Sequence, residues 1–586
     1  MAQQHQYMVD SIKNLQLIVR KYAQLLEILS KNSTAISSLS IIDQDTVQQI
    51  INAIVTLSSQ SPHILAQIYI KANLGYFNVF SKLILESCAI QYQANNQNKN
   101  IENIINLQSK YLNECYSEFS RIVYELLECL NLNTHTKRSA LFHVKLLLEA
   151  LDPDHSIIFN KLMTTNGLNT NWQYVVDVLD NIILDLKDGK TFLDITTINT
   201  HAFEIGKNVA TTQGKIIYRN DLVEIIFYKP SKKVHTTPIF IVPPCINKYY
   251  ILDLSPNHSF VKWLVDNNFE VFMVSWINPD KSLRNKNFDN YLQEGILDPV
   301  KYIKTTLKYK NMSAIGYCIG GTLLGCAEAF AAKTNLKLFS SVTLLASLLD
   351  FSDIGNFGLF LTQKNLAALK IEVGNDGYLN GRKLNYVFSL LRSKELIWNV
   401  IINNYFAKKQ PPSFDILYWN ADSTHLPEAM YLFYIENFYI NNLLARKNKL
   451  SLLDTKLDLS KITTPIFYLG AKNDHIVAWT GAYRSLQLCS SSTDAVFCLT
   501  AAGHIAGVMN HPQSHKYSYR AANNLHNVSH ETFLKNTIHQ DGSWWNDWLM
   551  WQKKYAGAQN TSHRYTKLCN QYICDAPGTY VRKRIQ

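Results

Sequence analysis

Apolar and polar positions alternate with a helical period in the first third of the chain. Leu25, Leu26, Ile28 and Leu29 recur at the three- and four-residue spacing that places side chains on one face of a helix. Glycine and proline, which interrupt helices, are scarce here: residues 1–200 hold three of the 22 glycines and two of the 15 prolines. The pattern predicts an all-helical N-terminal domain that ends near residue 200.

From about residue 201, short apolar runs alternate with helical patterns. Ile239–Val242 and Val271–Ser275 are rich in the β-branched and aromatic residues that favour buried strands. This alternation is typical of a mostly parallel sheet with helices on both faces. Because 586 residues exceed what one ordinary core organises, we predict two domains, a helical one at 1–200 and an α/β one at 201–586.

One predicted strand-to-helix junction carries candidate chemistry. The apolar stretch Met312–Ile315 leads into Gly316-Tyr317-Cys318-Ile319-Gly320-Gly321, and a small-residue helical pattern follows. A nucleophile elbow needs such small neighbours, because the residue at its apex adopts a strained backbone conformation. Cys318 is at the apex, where the N-terminus of the next helix can receive an oxyanion. The motif G-x-C-x-G is short, so it is a weak signal without partners.

Two further residues lie where partners of such a nucleophile are expected. In sheets with this elbow the acid and then the histidine follow the nucleophile along the chain, each after a strand. Asp474 follows the apolar run Pro465–Gly470, and His504 follows Ala495–Leu499. Taken singly, an aspartate in a loop is usually a turn former, and a histidine usually belongs to the surface or the core.

Together the three residues predict a triad with Cys318 as nucleophile, His504 as general base and Asp474 orienting that base. His475 and His511 are the nearest competitors for the acid or base position. We assign His475 to the substrate side.

Longer blocks carry a family resemblance. Besides the elbow and G-H-I-A-G-V at His504, the chain contains P-P-C-I-N-K-Y-Y-I-L-D-L at Pro243–Leu254, V-F-M-V-S-W-I-N-P-D at Val271–Asp280, L-L-R-S-K-E-L-I-W-N at Leu390–Asn399, Y-W-N-A-D-S-T-H-L-P at Tyr418–Pro427 and D-G-S-W-W-N-D-W at Asp541–Trp548. From about Phe203 to its C-terminus the chain resembles the class I poly(3-hydroxyalkanoate) synthases. Two positions depart from that family: Ile277 stands where arginine is usual, and His425 where asparagine is usual.

The resemblance implies an α/β-hydrolase-type fold and a reaction. Cys318 would accept a 3-hydroxyacyl group from (R)-3-hydroxyacyl-CoA, and the 3-hydroxyl of another unit would then attack the thioester, so that a polyester grows. His504 and Asp474 would promote deprotonation of that hydroxyl, with Asp474 acting either by orienting His504 or closer to the hydroxyl itself. The backbone N–H of Ile319, with another from the Cys245–Asn247 turn, would hold the oxyanion. Cys245 is also a candidate second nucleophile, although no base accompanies it in the sequence. The block around Tyr249 favours short acyl chains, with (R)-3-hydroxybutyryl-CoA as the expected substrate. No cofactor is expected, since coenzyme A leaves as a product.

The aromatic-rich stretch at about 340–445 predicts a cap inserted over the active site. Aromatic residues at helical spacing more often form a core than a binding site. The family resemblance nevertheless implies a cap that covers Cys318 and helps to form a homodimer. His475, Arg392 and Tyr434 are candidate contacts with coenzyme A or the cap entrance, and Cys245 and Asn247 candidate substrate contacts.

The amino-acid composition indicates the cellular compartment and the kinds of ligand to expect. The ten cysteines, without a visible signal peptide, favour a reducing cytoplasm, and no apolar run is long enough to span a bilayer. Cys569 and Cys574 are spaced loosely like ligands, but no second pair accompanies them, so no metal site is expected. The charged residues that give the net charge of +11 are scattered along the chain. This distribution is typical of a solvated surface, or of a positive field that attracts an anionic acyl-CoA, and it disfavours nucleic-acid binding.

Two other functions stay open at this point. A polyester depolymerase or thioesterase would use the same triad with water as acceptor, and a granule-coating protein would need no chemistry. The resemblance places the chain at polyester granules in the cytoplasm. We expect the helical domain to govern binding to the granule surface, to other granule proteins or to a second copy.

Overall fold

The computed structural model describes residues 2–32, 44–92, 97–187, 199–410, 413–568 and 571–585. The chain divides into two compact units. The helical unit comprises Met1–Thr197 with Thr362–Ala368 and Ser389–Pro411, and the catalytic unit comprises Ile198–Leu361, Leu369–Phe388 and Pro412–Gln586.

The N-terminal region is helical, as predicted. Its helices are α1 Ala2–Asn32, α2 Gln44–Gln60, α3 Pro62–Tyr92, α4 Gln97–Cys129, α5 Thr134–Leu151, α6 Lys161–Asn169 and α7 Gln173–Asp185. Asparagines begin two of them, because a side-chain oxygen satisfies an N–H group that has no partner within the helix. Asn133 accepts from the Thr136 N–H at the start of α5, and Asn160 accepts from the Leu162 N–H at the start of α6.

Part of the predicted cap belongs to the helical unit. Ile397, Ile401 and Phe406 are buried with Leu179 of α7 and Leu25 of α1 in one apolar cluster. The Tyr174 hydroxyl donates to the Phe406 carbonyl at 2.7 Å. Assigning all of 340–445 to the catalytic domain was therefore wrong, because the apolar residues of 389–411 complete the core of the helical unit.

The remaining helices lie beyond residue 259. In chain order they are α8 Phe260–Asp266, α9 Phe288–Leu292, α10 Asp298–Thr306, α11 Ile319–Thr334, α12 Gln363–Asp376, α13 Gly381–Leu391, α14 Asn399–Ile401, α15 Asp415–Ala421, α16 Glu428–Tyr434, α17 Trp479–Leu488, α18 His530–Asn536, α19 Trp545–Lys553 and α20 Arg564–Lys567.

The strands all belong to the catalytic unit as far as the described residues extend. They are β1 Gly214–Arg219, β2 Val223–Tyr228, β3 Lys233–His235, β4 Ile239–Val242, β5 Val271–Trp276, β6 Ser313–Tyr317, β7 Val342–Leu345, β8 Tyr378–Leu379, β9 Leu426–Pro427, β10 Ser451–Leu452, β11 Thr455–Lys456, β12 Ile466–Ala471, β13 Ala495–Thr500, β14 Ser518–Asn523, β15 Gln540–Asp541, β16 Gln559–Thr561 and β17 Cys574–Asp575.

Eleven of these strands form one sheet in the order β15-β14-β13-β12-β7-β6-β4-β5-β2-β1-β17. The six strands from β13 to β5 are parallel to one another, and the strands on both flanks pair antiparallel. Strands β5 and β12 are buried along their whole length, which explains their nearly continuous apolar sequences. The predicted fold class, a mostly parallel sheet after a helical region, is confirmed.

The chain leaves this sheet once for a long excursion. Val342–Leu345 pairs in parallel with β6 and β12, and the chain rejoins the sheet at Ile466. The excursion thus begins after Leu345, a few residues later than the predicted start at 340. Because β6, β12 and β13 are parallel members of one sheet, the loops after all three open at the same edge.

Candidate active site

Cys318 lies at the turn between β6 and α11. Its backbone has φ 54° and ψ −128°, a conformation that side-chain-bearing residues rarely adopt. The turn is tight enough that a Cβ on Gly320 would collide with the carbonyl oxygen of Val242, and one on Gly316 would come within 2.5 Å of the Gly321 Cα. The two glycines are therefore required by close backbone packing, and the strain is held at the candidate nucleophile.

The start of α11 supplies a candidate oxyanion donor. Ile319 is its first residue and is buried. The first N–H groups of a helix have no acceptor within the helix, and the helix dipole favours negative charge there. The Ile319 N–H therefore adjoins Cys318 in the position expected of an oxyanion donor.

Asp474 and His504 form a buried hydrogen-bonded pair. His504 Nδ1 lies 2.6 Å from Asp474 Oδ2, and their side chains are 6% and 0% exposed. The other carboxylate oxygen of Asp474 accepts the N–H groups of Ile476 and Val477 at 2.8 and 2.9 Å. These bonds orient the carboxylate toward the imidazole and compensate for the burial of its charge.

The Cys318 thiol lies within hydrogen-bonding distance of the His504 imidazole of this pair. Burial alone lowers the pKa of His504, but the Asp474 carboxylate and a hydrogen bond with Cys318 outweigh it, so the pKa rises to about 10. The Tyr317 ring stacks on the imidazole with centroids 5.3 Å apart, and its hydroxyl donates to the His504 carbonyl at 3.2 Å. The three residues predicted from the sequence thus form one constellation, with an imidazole well suited to hold a proton.

Two tryptophans that sequence reasoning did not single out hold the histidine loop. The indole N–H of Trp544 donates to the Gly507 carbonyl at 2.8 Å, and that of Trp545 donates to the Val508 carbonyl at 2.9 Å. Both indoles are fully buried. The W-W pair in the block D-G-S-W-W-N-D-W was the available signal, but its partners are distant in sequence.

The loop after β4 carries the other predicted oxyanion and substrate residues. Thr424 fastens it: its N–H donates to the Ile246 carbonyl at 2.9 Å, and its hydroxyl donates to the Cys245 carbonyl at 2.6 Å. Asn247 forms a bridge with Ser423. Its buried side-chain Nδ2 has no hydrogen-bond partner among the described residues, which leaves a donor for a ligand.

Cys245 lies near Cys318 but differs from it electrostatically. Burial raises the pKa of the Cys245 thiol far above its usual range, and the neighbouring Cys318 raises it further. A buried thiol kept protonated is a poor nucleophile. This environment favours a role in shaping the pocket over a second covalent site.

Tyr434 belongs to an aromatic cluster close to the nucleophile. Its hydroxyl is hydrogen-bonded to those of Tyr439 and Thr322; burial raises its pKa, and nearby Tyr439 and Cys318 add to the rise. Phe351 contacts both tyrosine rings edge-on, at centroid distances of 5.9 and 4.9 Å. Of these neighbours, Tyr439 and Phe351 were not predicted as site residues.

The other candidate residues occupy different positions. His475 is half-buried beside Asp474, inside the turn that the carboxylate caps. His511 accepts from the Gln513 N–H at 3.2 Å, and its ring contacts Trp545. Arg392 lies in the helical unit and pairs with Glu395 at 3.2 Å. The three predicted coenzyme A or cap-entrance contacts, His475, Arg392 and Tyr434, stay predictions.

His425 and Ile277, the two positions that depart from the family pattern, have different surroundings. His425 stacks on Tyr378 at 4.2 Å, and its Nδ1 accepts from the Gly381 N–H at 3.2 Å. Burial, aided by nearby cations, lowers the pKa of His425 to about 4, so its imidazole is neutral at pH 7. Ile277 is half-buried and donates its N–H to the Leu222 carbonyl at 2.9 Å. Nothing in the structure explains the exchange of arginine for isoleucine there.

The described residues contain neither a cluster of metal ligands nor a helix suited to cross a membrane. Among the described residues no group of three or more His, Cys, Asp or Glu side chains could hold a metal ion. Cys569, one of the two loosely spaced cysteines, lies outside those residues, and Cys574 is a free thiol near Arg219. In the described ranges none of the helices combines the length with the apolar character that a bilayer crossing requires.

Comparison with known structures adds neighbours of similar architecture. The chain is similar to an esterase from Exiguobacterium antarcticum, at 11% identity and a TM-score of 0.28 over 50% of this chain and 92% of that one. It is also similar to a monoacylglycerol lipase from Paleococcus ferrophilus, at 14% identity and a TM-score of 0.29 over 46% of this chain and 88% of that one.

Sequence comparisons identify the family. Residues 102–264 match the model of the poly-beta-hydroxybutyrate polymerase (PhaC) N-terminus, and residues 238–508 match that of the alpha/beta hydrolase fold. The chain is 34% identical to a poly(3-hydroxyalkanoate) polymerase of Methylorubrum extorquens, over 81% of this chain and 78% of that protein. It is 33% identical to the polymerase subunit PhaC of Cupriavidus necator, over 82% of this chain and 81% of that protein. The family expected from the motif blocks is thus confirmed, and the chain belongs to the poly(3-hydroxyalkanoate) polymerases, a family of acyltransferases.

Proposed function

We propose that the protein polymerises (R)-3-hydroxyacyl-CoA, with (R)-3-hydroxybutyryl-CoA as its main substrate, into a polyester and releases coenzyme A. The observation that carries the proposal is the Cys318–His504–Asp474 constellation in a chain of the polymerase family. Cys318 would be the covalent nucleophile, His504 the general base and Asp474 the residue that orients it.

Acylation is the first step of the proposed reaction. His504 takes the thiol proton as Cys318 Sγ attacks the thioester carbonyl carbon, and the N–H groups of Ile319 and the Cys245–Asn247 turn stabilise the oxyanion. The carbon–sulfur bond to coenzyme A then breaks, and the departing thiolate takes the proton from His504. Because one thioester replaces another, the acyl group stays activated.

Chain growth follows in the second step. The 3-hydroxyl of one unit attacks the thioester carbonyl carbon of another, His504 accepts the hydroxyl proton, and the sulfur of Cys318 leaves. Exclusion of water is essential, because water would release the acid instead of extending the chain. The aromatic cluster of Tyr434, Tyr439 and Phe351 supports this requirement, since it is an apolar wall close to Cys318.

The neighbouring loop supports a substrate contact. Asn247 Nδ2 is a buried donor without a protein partner in the described residues, and leaving such a group unpaired costs about 1–3 kcal/mol. We assign it to an oxygen of the bound acyl group. Cys245 shapes the pocket wall beside it.

Incubation of the full chain with (R)-3-hydroxybutyryl-CoA tests the proposal. Turbidity with release of coenzyme A is expected. Free 3-hydroxybutyrate without polymer would instead identify a hydrolase, and neither product would leave only a granule-coating role. Thioesters of increasing acyl length would establish the preference for three to five carbons.

We further propose that α3 binds the polyester granule. Eight large apolar side chains between residues 69 and 85 of this helix are at least 38% exposed, and most are spaced by three or four residues: Tyr69, Ile70, Leu74, Tyr76, Phe77, Phe80, Ile84 and Leu85. The same helix faces α4 through ion pairs such as Lys71 with Glu125 and Lys110 with Glu86. An exposed apolar stripe of this kind marks an interaction surface.

The proposal also covers the cellular location and the oligomeric state of the protein. The protein would act at polyester granules in the cytoplasm as a homodimer, and granule-coating proteins are candidate partners. Sedimentation of the purified chain measures the dimer, and microscopy of a fluorescent fusion in polymer-accumulating cells measures the location. A monomer at all active concentrations, or a diffuse signal beside formed granules, would contradict these parts.

A further inference from the structure

A buried lysine directly follows the loop assigned to the oxyanion. Lys248 is only 2% exposed, although lysine is almost never fully buried without a partner. Its ammonium group donates to the backbone carbonyl of Lys583 at 2.6 Å. Its own carbonyl accepts the indole N–H of Trp419 at 2.7 Å. The residue after Asn247 is thus held at both its main chain and its side chain.

The acceptor belongs to the C-terminal segment, Thr579–Ile585, which is anchored on the sheet. Glu224 of β2 is fully buried and accepts the N–H groups of Thr579 and Tyr580 at 3.0 and 3.1 Å. The Tyr580 hydroxyl donates to the Asn220 carbonyl at 2.6 Å. The Arg219 guanidinium pairs with one carboxylate oxygen of Glu224 at 2.6 Å, and these N–H groups satisfy the other, so the buried charge is compensated. The carbonyl that Lys248 binds therefore lies in a fixed segment.

A second contact ties the same segment to the cap residues around the loop. Arg584 lies over the Tyr418 ring at 4.7 Å, and its Nε is 3.9 Å from the Asp422 carboxylate. Asp422 is itself buried and accepts the Tyr250 hydroxyl at 2.8 Å. The C-terminal segment thus contacts Lys248, which directly follows the loop, and Asp422, which adjoins the Ser423–Thr424 strip that fastens it.

We propose that Lys248 is a positioning residue, which holds the Cys245–Asn247 loop in register with Cys318 by anchoring it to the C-terminal segment. This inference rests on the proposed function, because it takes that loop as an oxyanion donor. A buried ammonium is an expensive way to stabilise a fold, because taking its charge out of water costs several kcal/mol. The burial and the contacts of Lys248 are explained if fixing the position of the loop matters more than the stability of the fold.

The test compares two reactions of Cys318 in the full chain. Acylation by (R)-3-hydroxybutyryl-CoA or p-nitrophenyl acetate develops an oxyanion, whereas alkylation by iodoacetamide does not. Lys248→Met keeps the apolar stem and removes the charge. We expect its acylation rate to fall about 10- to 100-fold, the scale of a misplacement of about 1 Å, with KM and the alkylation rate within about twofold of the parent.

Two further variants sharpen the comparison. Deletion of residues 583–586 removes the Lys583 carbonyl that accepts from Lys248, and it should slow acylation as much as Lys248→Met does. The acylation rate of the double variant should be no lower than that of either single variant. Lys262→Met, at an exposed lysine paired with Asp266, is the matched control. Equal acylation rates in Lys248→Met and the parent would overturn the proposal, as would an equal fall in both reactions. A parent that is acylated but releases only free acid would overturn polymerisation and leave the Lys248 comparison intact.

Discussion

Helices α3 and α11 are both apolar on most of their surface, yet they differ in what surrounds them. Such a helix is normally buried in a core. Helix α11 fits that rule, since twelve of its residues are buried behind the elbow. Helix α3 does not, because its large apolar side chains from Tyr69 to Leu85 face outward in the described chain. The difference separates a helix that is buried within the chain from one whose apolar side chains are available for the proposed granule contact.

The contrast has a functional meaning. Burial of α11 holds Cys318 in a strained backbone, and in the proposed reaction this rigidity serves the chemistry. The exposed apolar side chains of α3 are those that the proposed granule contact would use, because such a stripe marks an interaction surface.

Cys318→Ala gives the largest expected effect. Polymer formation should fall by at least about a thousandfold, because the covalent step is lost while oxyanion stabilisation remains. Alanine fits the space of the thiol, so thermal unfolding and granule binding should stay close to the parent's. Radiolabel incorporation from (R)-3-hydroxybutyryl-CoA is the measurement. Unchanged polymer accumulation in cells would contradict the assignment of the nucleophile.

Asp474→Asn should have the second-largest effect on activity. The amide keeps the size of the side chain but removes the charge that orients His504, and kcat should fall by about 10²- to 10⁴-fold, with a smaller change in KM. Steady-state release of coenzyme A measures both constants. His511→Gln is the matched control, since His511 caps a turn and should leave kcat within about twofold. A normal kcat in Asp474→Asn would exclude the proposed role of the carboxylate.

The same pair predicts how stability depends on pH. His504 has a pKa of about 10 in the folded chain and about 6.5 when unfolded, so the folded state binds the proton more tightly. Its stabilising contribution is fully present below about pH 6.5 and is lost as the pH rises through 10. Urea unfolding between pH 6 and pH 10 should show this loss, and the slope should be shallower in Asp474→Asn. Equal slopes in the two proteins would contradict the ion pair.

Parts of this architecture could be predicted from the sequence and parts could not. The elbow was predictable because close backbone packing requires glycine at Gly316 and Gly320, and Asp474 and His504 were predictable because each follows an apolar strand. Lys248 and Trp544 were not, because their partners are set by tertiary folding. The stretch 389–411 shows the same limit: helical spacing of apolar residues predicts burial, but it does not identify the core that receives them.

Paired substitutions on α3 distinguish its exposed and buried faces. Phe77→Glu should reduce binding to amorphous polyester granules about tenfold or more, while stability changes by no more than about 0.5 kcal/mol. Ile68→Ala, at a buried position of the same helix, should cost about 2–4 kcal/mol of unfolding free energy. Ile538→Glu replaces an even more exposed apolar residue of the catalytic unit and is the control. Granule binding that falls equally in Phe77→Glu and Ile538→Glu would contradict a specific role for α3.

Arg392→Ala should give the smallest effect on stability and the most informative one on substrate binding. The guanidinium makes an exposed ion pair with Glu395 at 3.2 Å, and such pairs contribute about 0–1 kcal/mol. If Arg392 also contacts a phosphate of coenzyme A, KM should rise several-fold with kcat unchanged, and the rise should shrink at high salt because the contact is electrostatic. Glu395→Ala breaks the same pair but keeps the cation, so it separates the two contributions. An unchanged KM in Arg392→Ala would remove this residue from the substrate path and leave it as a surface residue of the helical unit.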